Sequence, residues 1–379
     1  MATYSAWFAV KKGHPAQSLQ LRTDLPIPTK LPKNHVLVKV QAAALNPVDY
    51  KLLRSVPSFI ARRPHVVAME FAGVVVDANG SEFSAGDKVF GQSTWPRVGV
   101  LAQYAVLPTS ALAIRPSSVS TAEAAGIAIV TMTAYQALVK YHHIEAGQTV
   151  FVNGGSSGVG MAAIQISKSM GCKVVATASA GNKDLLLSLG VDEFVDYTQA
   201  PLVEQLLAKP PSPKFHALFD AAGLTDPALY LNSASYLAPG GMYLTAGTMP
   251  HSRKEFGEMF RQIFEGFLRP TWLGGVPRKF GSVSVSFEKK DLDDVRDLIA
   301  RGAVKPVVDS VHPFDEEGVK NAFEKLMTKH AKEFIGDHDY GRYNTHAVHV
   351  RNEFNLATMG QQKSRKAKTR RKTGSAGCS

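Results

Sequence analysis

The residues best suited to chemistry lie in the run Gly155-Ser156-Ser157-Gly158-Val159-Gly160-Met161-Ala162-Ala163. Gly158, Gly160 and Ala163 fit the G-x-G-x-x-G/A spacing of a loop that seats a pyrophosphate on the start of a helix. In that spacing the first glycine permits a tight turn and the second lets a phosphate approach the backbone. A small third residue lets the helix lie close to the strand. The helix start adds N–H groups without intrahelical partners and a partial positive charge. Gly155, Ser156, Ser157, Gly158, Val159 and Gly160 are therefore the first candidate cofactor ligands. A flexible turn is the competing reading of a bare glycine pattern.

Downstream, Thr177-Ala178-Ser179-Ala180-Gly181-Asn182-Lys183 ends the strand that follows the loop's helix. A site for NAD would place a carboxylate there to accept from the ribose 2′-OH. This segment offers a hydroxyl and an ammonium instead. Ser179 and Lys183 are thus expected to hold a 2′-phosphate, which points to NADPH. The competing reading of Lys183 is a solvated surface lysine.

These residues need a scaffold, and the patterning supplies one. From about residue 5 to 116 the chain reads as short strands separated by turns, with strands at 35–41, 71–76 and 104–108 and a turn feeding a strand at 86–91. Many short strands with Gly and Pro between them predict a compact, barrel-like β domain. At Thr121 the texture changes. A helix opens there, capped by Ser120 or Thr121, and strands at 149–153, 172–177, 193–197, 215–220 and 242–246 alternate with helices at 159–170 and 183–189. That alternation predicts a parallel sheet with helices on both faces. Residues 250–277 read as helical and then irregular. Strands at 282–287 and 307–312 and helices at 291–301 and 315–329 complete the ordered part.

Composition agrees. The chain has 379 residues, 45% hydrophobic and 20% charged, which suits a globular protein of two domains. Cys172 and Cys378 stand alone, which excludes a disulfide framework and a Cys-rich zinc module. No apolar run approaches the roughly 20 residues of a membrane span, and the N-terminus carries no secretory pattern. A cytoplasmic location is expected, with mitochondrial or nuclear locations as alternatives. The net charge is +11, but seven basic residues lie between Lys363 and Lys372, leaving +4 elsewhere. A nucleic-acid partner is therefore not expected of the main body.

The ordered motifs resemble a known family. Ala44-Leu45-Asn46-Pro47-Val48-Asp49-Tyr50-Lys51, Glu70-Phe71-Ala72-Gly73-Val74-Val75, Gly86-Asp87-Lys88-Val89-Phe90-Gly91, Thr131-Met132-Thr133-Ala134-Tyr135 and the glycine loop occur in its order. The chain resembles the medium-chain dehydrogenase/reductase superfamily over about residues 5–330, specifically its zinc-free quinone oxidoreductase-like and enone (alkenal) reductase branch. The resemblance implies a doubly wound Rossmann domain inserted into a GroES-like β-rich catalytic domain, with a substrate cleft at their junction. The expected divisions are 1–120 and 289–345 for the catalytic part, 121–288 for the NADPH-binding part, and 346–379 for a disordered basic tail. A homodimer, paired through the last Rossmann strand at residues 281–287, or a monomer is implied.

Zinc-dependent relatives carry Cys where this chain has Asn46, and Gly-His-Glu where it has Ala68-Met69-Glu70, so neither zinc set is expected here. Without a Lewis acid the acceptor must already be polarised, as a quinone or an α,β-unsaturated carbonyl is. Hydride would pass from the nicotinamide to the β-carbon, leaving an enolate to stabilise and protonate. Asn46 is then a candidate donor to the carbonyl or the nicotinamide ribose, and Lys51 or Tyr50 a candidate to stabilise or protonate the enolate. Asn46 followed by Pro47, with Asp49 three along, also reads as a helix N-cap. Thr133 matches a nicotinamide-contacting threonine or simply bonds back along its helix. Tyr197 matches a tyrosine near the adenosine phosphate, and Gly223 and Gly247 follow strands at the edge where ligands bind.

Alternatives from other classes are a trans-acting enoyl reductase of a polyketide or fatty-acid system, and a nucleotide-binding regulatory or scaffold protein without turnover. The family pattern breaks after His330. Relatives close with Gly-Lys and a valine-rich strand, whereas this chain reads Ala331-Lys332-Glu333-Phe334-Ile335-Gly336. Residues 346–350 are the one short strand candidate beyond it. A gene-model artefact or a genuine extension with a nuclear signal or nucleic-acid contact would explain the remainder.

Overall fold

The computed structural model describes residues 2–93, 99–247, 250 and 252–328, together with the backbone of 348–351. Within them the chain builds a six-stranded parallel sheet and a mainly antiparallel β-rich half. The parallel sheet runs Glu193–Asp196, Lys173–Ala178, Thr149–Asn153, Phe215–Asp220, Leu237–Thr245, Lys279–Ser282. Val150, Phe151, Val152, Val174, Leu218 and Phe219 are buried, because a parallel sheet is covered on both faces and favours unbroken apolar strands. Strand order reverses between Thr149–Asn153 and Phe215–Asp220. That reversal opens a crevice at the carboxyl ends of the strands.

In the β-rich half, His35–Leu45 is the central strand. It pairs antiparallel with Glu70–Asp77, Tyr104–Pro108 and Val348–Arg351. Lys88–Gln92 and Leu112–Ile114 extend the sheet on one side, and Ser310–Pro313 lies parallel to Val348–Arg351 on the other. A smaller sheet joins Leu19–Pro26, Thr3–Ala9 and His65–Val66. The core of this half includes Trp7, Val38, Leu45, Phe71, Leu107 and Phe323. The expected strands at 35–41 and 71–76 are present and longer than read.

Several boundaries differ from the sequence reading. The final parallel strand is Lys279–Ser282, not 282–287. The last ladder bond is Val283 N–H to Thr245 O; beyond it the Gln136 side chain takes both the Ser286 N–H (2.9 Å) and its carbonyl (2.8 Å). A side chain 150 positions away thus satisfies the backbone that a strand would have used. The strand expected at 307–312 is Ser310–Pro313. Helix Lys289–Ala300, assigned above to the returning catalytic segment, packs Leu292, Val295, Leu298 and Ile299 into a core that joins Phe90 and Ala113 of the β-rich half with Val150 and Val174 of the cofactor sheet.

The strand Val348–Arg351 fills the place between Ser310–Pro313 and His35–Leu45. It begins within the residues assigned to the tail, and it supplies the pairing that an unfinished sheet edge would lack. Residues 352–379, including the basic run, lie outside the described residues. Helix Arg253–Ile263, which continues into Phe264–Leu268, inverts the usual pattern. Phe256, Phe260, Phe264 and Phe267 are exposed while Gln262 and Glu265 are buried. Among the described residues no helix is long and apolar enough to cross a membrane.

Candidate active site

The carboxyl edge of the parallel sheet is held by polar side chains that end otherwise apolar strands. Asp220 is fully buried and accepts from Asn153 Nδ2 at 2.8 Å, Gly223 N–H at 3.2 Å and Leu224 N–H at 2.7 Å. It also accepts from the hydroxyls of Tyr243 (3.1 Å) and Thr245 (3.3 Å). Burial pushes the Asp220 carboxyl above its ordinary range, against these donors. Asn153 Oδ1 in turn accepts from Thr177 Oγ1 at 2.7 Å, and Thr177 Oγ1 accepts from Gly154 N–H at 2.9 Å. The network runs from the switch point into the glycine loop.

The loop corrects two of the roles read from the spacing. The tight turn falls at Gly154, whose φ of +78° favours glycine, and not at Gly158, which is the first residue of helix Gly158–Ser169. Gly160 is required by the loop itself: a Cβ there would lie 2.2 Å from Gly154 O and 2.9 Å from Gly155 Cα. Ser157 caps the helix, accepting from Gly160 N–H at 2.9 Å and donating to Gly154 O at 2.8 Å. The Gly160 N–H is thus already engaged within the loop. Gly155, Ser156, Ser157, Gly158, Val159 and Gly160 nonetheless form one cradle at the helix N-terminus beside the crevice.

Ser179 and Lys183 sit one strand over, Ser179 half-buried and Lys183 exposed at the start of helix Lys183–Ser188. Ser179 Oγ accepts from Asn182 Nδ2 at 3.1 Å. Tyr197 is brought beside them, its N–H reaching Ala178 O at 3.4 Å. The sequence reading missed Asp196, a carboxylate at the end of the next strand. It accepts from the N–H and hydroxyl of Thr198 (2.9 and 2.6 Å) and from Gln199 Nε2, and these bonds hold its pKa down despite burial. Gly223 and Gly247 lie at the same edge with φ of +66° and +75°. Gly247 N–H donates to Thr245 Oγ1 at 3.1 Å.

Across the junction, Asn46 caps helix Pro47–Ser55 with Pro47 in its first turn, and Asp49 Oδ2 accepts from Asn46 N–H at 2.7 Å. The capping pattern read from sequence is present, and the Asn46 side chain also reaches beyond it: Nδ2 donates to Glu70 Oε2 at 2.7 Å. Glu70 Oε1 accepts from Ile129 N–H at 2.6 Å, in the helix Ala128–Tyr135 that carries Thr133. Thr133 Oγ1 donates to Ile129 O at 2.7 Å, the back-bonded arrangement anticipated for it. Lys51 is buried, not a solvent-facing lysine, and Tyr50 belongs to the hydrophobic core of the β-rich half.

Sequence reasoning also missed Gln92 and Ser93. Gln92 pairs across the sheet with Glu70 and contacts Met132 Sδ through Nε2. Gln92 Oε1, Ser93 Oγ and Thr131 Oγ1 are buried without a hydrogen-bond partner among the described residues. Unsatisfied buried polar atoms of this kind are uncommon and mark a place where a ligand can contribute.

Asp49 and Glu70 are both pushed up to about 7, chiefly by burial; for Glu70 the bonds from Asn46 and Ile129 oppose the rise. A carboxyl whose folded-state pKa exceeds its unfolded value favours folding least when ionised. Stability contributed by Glu70 is therefore lost as pH rises from 4.5 to about 7, by roughly 3 kcal/mol. Melting curves of wild type and E70Q between pH 5 and 8 should show the gap moving in favour of the variant as pH rises. A gap independent of pH would contradict this.

The comparisons with known proteins agree with this architecture. An alcohol dehydrogenase GroES-like domain matches residues 32–117 and a zinc-binding dehydrogenase domain matches residues 189–332. A trans-enoyl reductase, pgmF of Aspergillus terreus, is 34% identical over 331 residues, covering 83% of this chain and 90% of that protein. A chloroplastic NADPH-dependent alkenal/one oxidoreductase of Arabidopsis thaliana is 31% identical, covering 83% of this chain and 74% of its own length. The quinone oxidoreductase of Coxiella burnetii shares the fold with a TM-score of 0.73 at 22% identity, over 93% of this chain and all of that one. With the two matched domains, the inserted parallel sheet and these relatives, the chain belongs to the medium-chain dehydrogenase/reductase superfamily, in its quinone and enone reductase branch.

Proposed function

We propose that the protein is an NADPH-dependent, zinc-independent reductase of quinones or α,β-unsaturated carbonyls. The observation that carries the reading is the glycine cradle: Gly154 turns, Ser157 caps, and Gly160 lets the helix start close against the loop at the sheet's switch point. Bound there, NADPH supplies the hydride. The loop from Gly155 to Gly160 would hold the pyrophosphate, and Ser179 with Lys183 would hold the 2′-phosphate. Tyr197 would lie toward the adenosine phosphate and Thr133 toward the nicotinamide, with Gly223 and Gly247 at the carboxyl edge of the sheet where the cofactor would lie. Asp196 does not compete for a ribose hydroxyl in this reading, because its oxygens are occupied by its own turn.

At the acceptor, Asn46 hydrogen-bonds the carbonyl oxygen and so favours the negative charge that develops there. Lys51, buried on the following helix turn, stabilises the enolate or delivers its proton. The donor set does not suit zinc. Asn46 and Met69 provide neither thiolate nor imidazole, and no group of three or more His, Cys, Asp or Glu able to hold a metal occurs among the described residues. No step is therefore assigned to a metal.

NADPH oxidation measured against a panel of quinones, enones and enoyl thioesters tests the proposal; no turnover of any of them would sink it. The cofactor assignment makes a separate prediction. S179A/K183A should raise the NADPH dissociation constant about 10- to 100-fold, the loss of two contacts to one phosphate, and leave that for NADH within about twofold. Equal losses for both cofactors would contradict the 2′-phosphate assignment. A second reading, favoured by the 34% identity to a trans-enoyl reductase, is that the acceptor is an enoyl thioester presented by a separate synthase. It predicts a marked preference for thioesters over free enones in the same panel. Normal NADPH binding without any turnover would instead favour a regulatory role.

A further inference from the structure

We infer that Glu70 is a positioning residue that joins the acceptor side and the cofactor side of the site and sets which atoms of the Asn46 amide face the acceptor. The inference rests on the reading of Asn46 and Thr133 as site residues given above. Glu70 opens the strand Glu70–Asp77 and is 1% exposed. Its two oxygens serve the two halves separately: Oε2 takes Asn46 Nδ2 at 2.7 Å, and Oε1 takes Ile129 N–H at 2.6 Å. The Ile129 carbonyl takes the Thr133 hydroxyl at 2.7 Å. Asn46 and Thr133 are thus connected through one carboxylate and one helical residue.

Each contact has a local reason. Ile129 lies in the first turn of its helix, where an N–H has no intrahelical acceptor and a negative group is favoured by the helix dipole. Asn46 precedes Pro47 at the start of another helix, with its backbone N–H already taken by Asp49. Its side-chain nitrogen, which a cap does not use, is left for Glu70. In its ionised form Glu70 only accepts, and it meets the Asn46 amide at nitrogen, through Nδ2 at 2.7 Å. That fixes Oδ1 and the second Nδ2 hydrogen in one orientation. A partner able to donate would let the amide turn over. Burial of Glu70 in so closed a setting is costly, and satisfying a helix start requires only one of its oxygens. The second oxygen is spent on Asn46.

The discriminating variants are E70Q, N46A and the double variant, with E70A as a wider deletion. A glutamine has one accepting oxygen. If that oxygen stays on Ile129, its amide nitrogen confronts Asn46 Nδ2 and the Asn46 amide inverts. E70Q should remain folded and bind NADPH normally, yet lose about 100-fold in kcat, the scale of a misplaced reacting group. If Glu70 acts through Asn46, E70Q/N46A should be no slower than N46A alone. Hydrogen exchange supplies a readout that needs no turnover: the Ile129 amide should exchange at least about tenfold faster in E70A and stay protected in E70Q.

Wild-type kcat in E70Q, or losses that multiply in the double variant, would overturn the inference while leaving the proposed function intact. Unchanged exchange at Ile129 in E70A would also overturn it. Absence of turnover in the wild type would instead fail the proposed function, with the exchange result still deciding whether Glu70 holds the helix start.

Discussion

Asp220→Ala should destabilise the protein by about 3–5 kcal/mol and lower Tm by roughly 10 °C. The reason is the number of donors that meet at this one buried side chain. Asn153 Nδ2, the N–H groups of Gly223 and Leu224, and the hydroxyls of Tyr243 and Thr245 all point at its two oxygens. Each donor left without a partner in the interior costs about 1–3 kcal/mol, offset in part where water enters the space. The effect should also reach the cofactor. Asn153 loses the partner that orients it, Asn153 orients Thr177, and Thr177 accepts from Gly154 N–H. NADPH affinity should therefore fall along with stability. D220N, which keeps one acceptor and the shape, should lie between. Chemical denaturation combined with NADPH fluorescence titration reads both quantities. A stable D220A protein with unchanged NADPH affinity would show that the network does not position the loop.

Gly160→Ala should abolish tight NADPH binding, with a loss of at least about 100-fold in affinity, or about 2.7 kcal/mol. The added Cβ would stand 2.2 Å from Gly154 O, 2.9 Å from its carbonyl carbon and 2.9 Å from Gly155 Cα. All three are backbone atoms of the loop, so no flexible side chain can move aside. Either the loop or the first turn of helix Gly158–Ser169 must shift, and the Ser157 cap shifts with it. Gly257→Ala is the matched control. Its Cβ would meet nothing within 4 Å, in helix Arg253–Ile263, and alanine there should stabilise by up to about 1 kcal/mol. Titration of both variants with NADPH separates the local clash from any general intolerance of alanine. Wild-type affinity in G160A would remove the cradle from the account.

Much of this arrangement is legible in the sequence because it is local. The run Thr149-Val150-Phe151-Val152-Asn153 before a glycine-rich turn and a small-residue helix reads directly as strand, turn and helix. The assignment of roles within the turn is not local. Gly154, one residue before the run singled out, makes the tight turn, and the need for glycine at position 160 arises from contact with the loop's own backbone. Signals for the network were present as polar residues that end or interrupt buried strands: Asn153, Thr177, Asp220. Their partners could not be read, since the bonds cross from strand to strand. Glu70 is the same case. A carboxylate opening an apolar strand is conspicuous, but its contacts with Asn46 and Ile129 span 24 and 59 positions.

The misplaced end of the parallel sheet has a similar cause. Residues 282–287 alternate as a strand should, and the Gln136 side chain replaces the neighbour that would have made them one. Residues 348–351 gave only a weak signal because a four-residue strand carries little periodicity. Their place is set by the gap between Ser310–Pro313 and His35–Leu45.

The central claim is metal-free reduction of an activated acceptor by NADPH, and isotope transfer tests it most directly. Metal-depleted protein would be given NADPH carrying deuterium at both C4 positions with a conjugated enone or enoyl thioester, and the product examined by mass spectrometry and NMR. The account predicts one deuterium at the former β-carbon, at a rate unchanged by removal of metal. An unlabelled or unreduced substrate, or activity that returns only with added zinc, would contradict it.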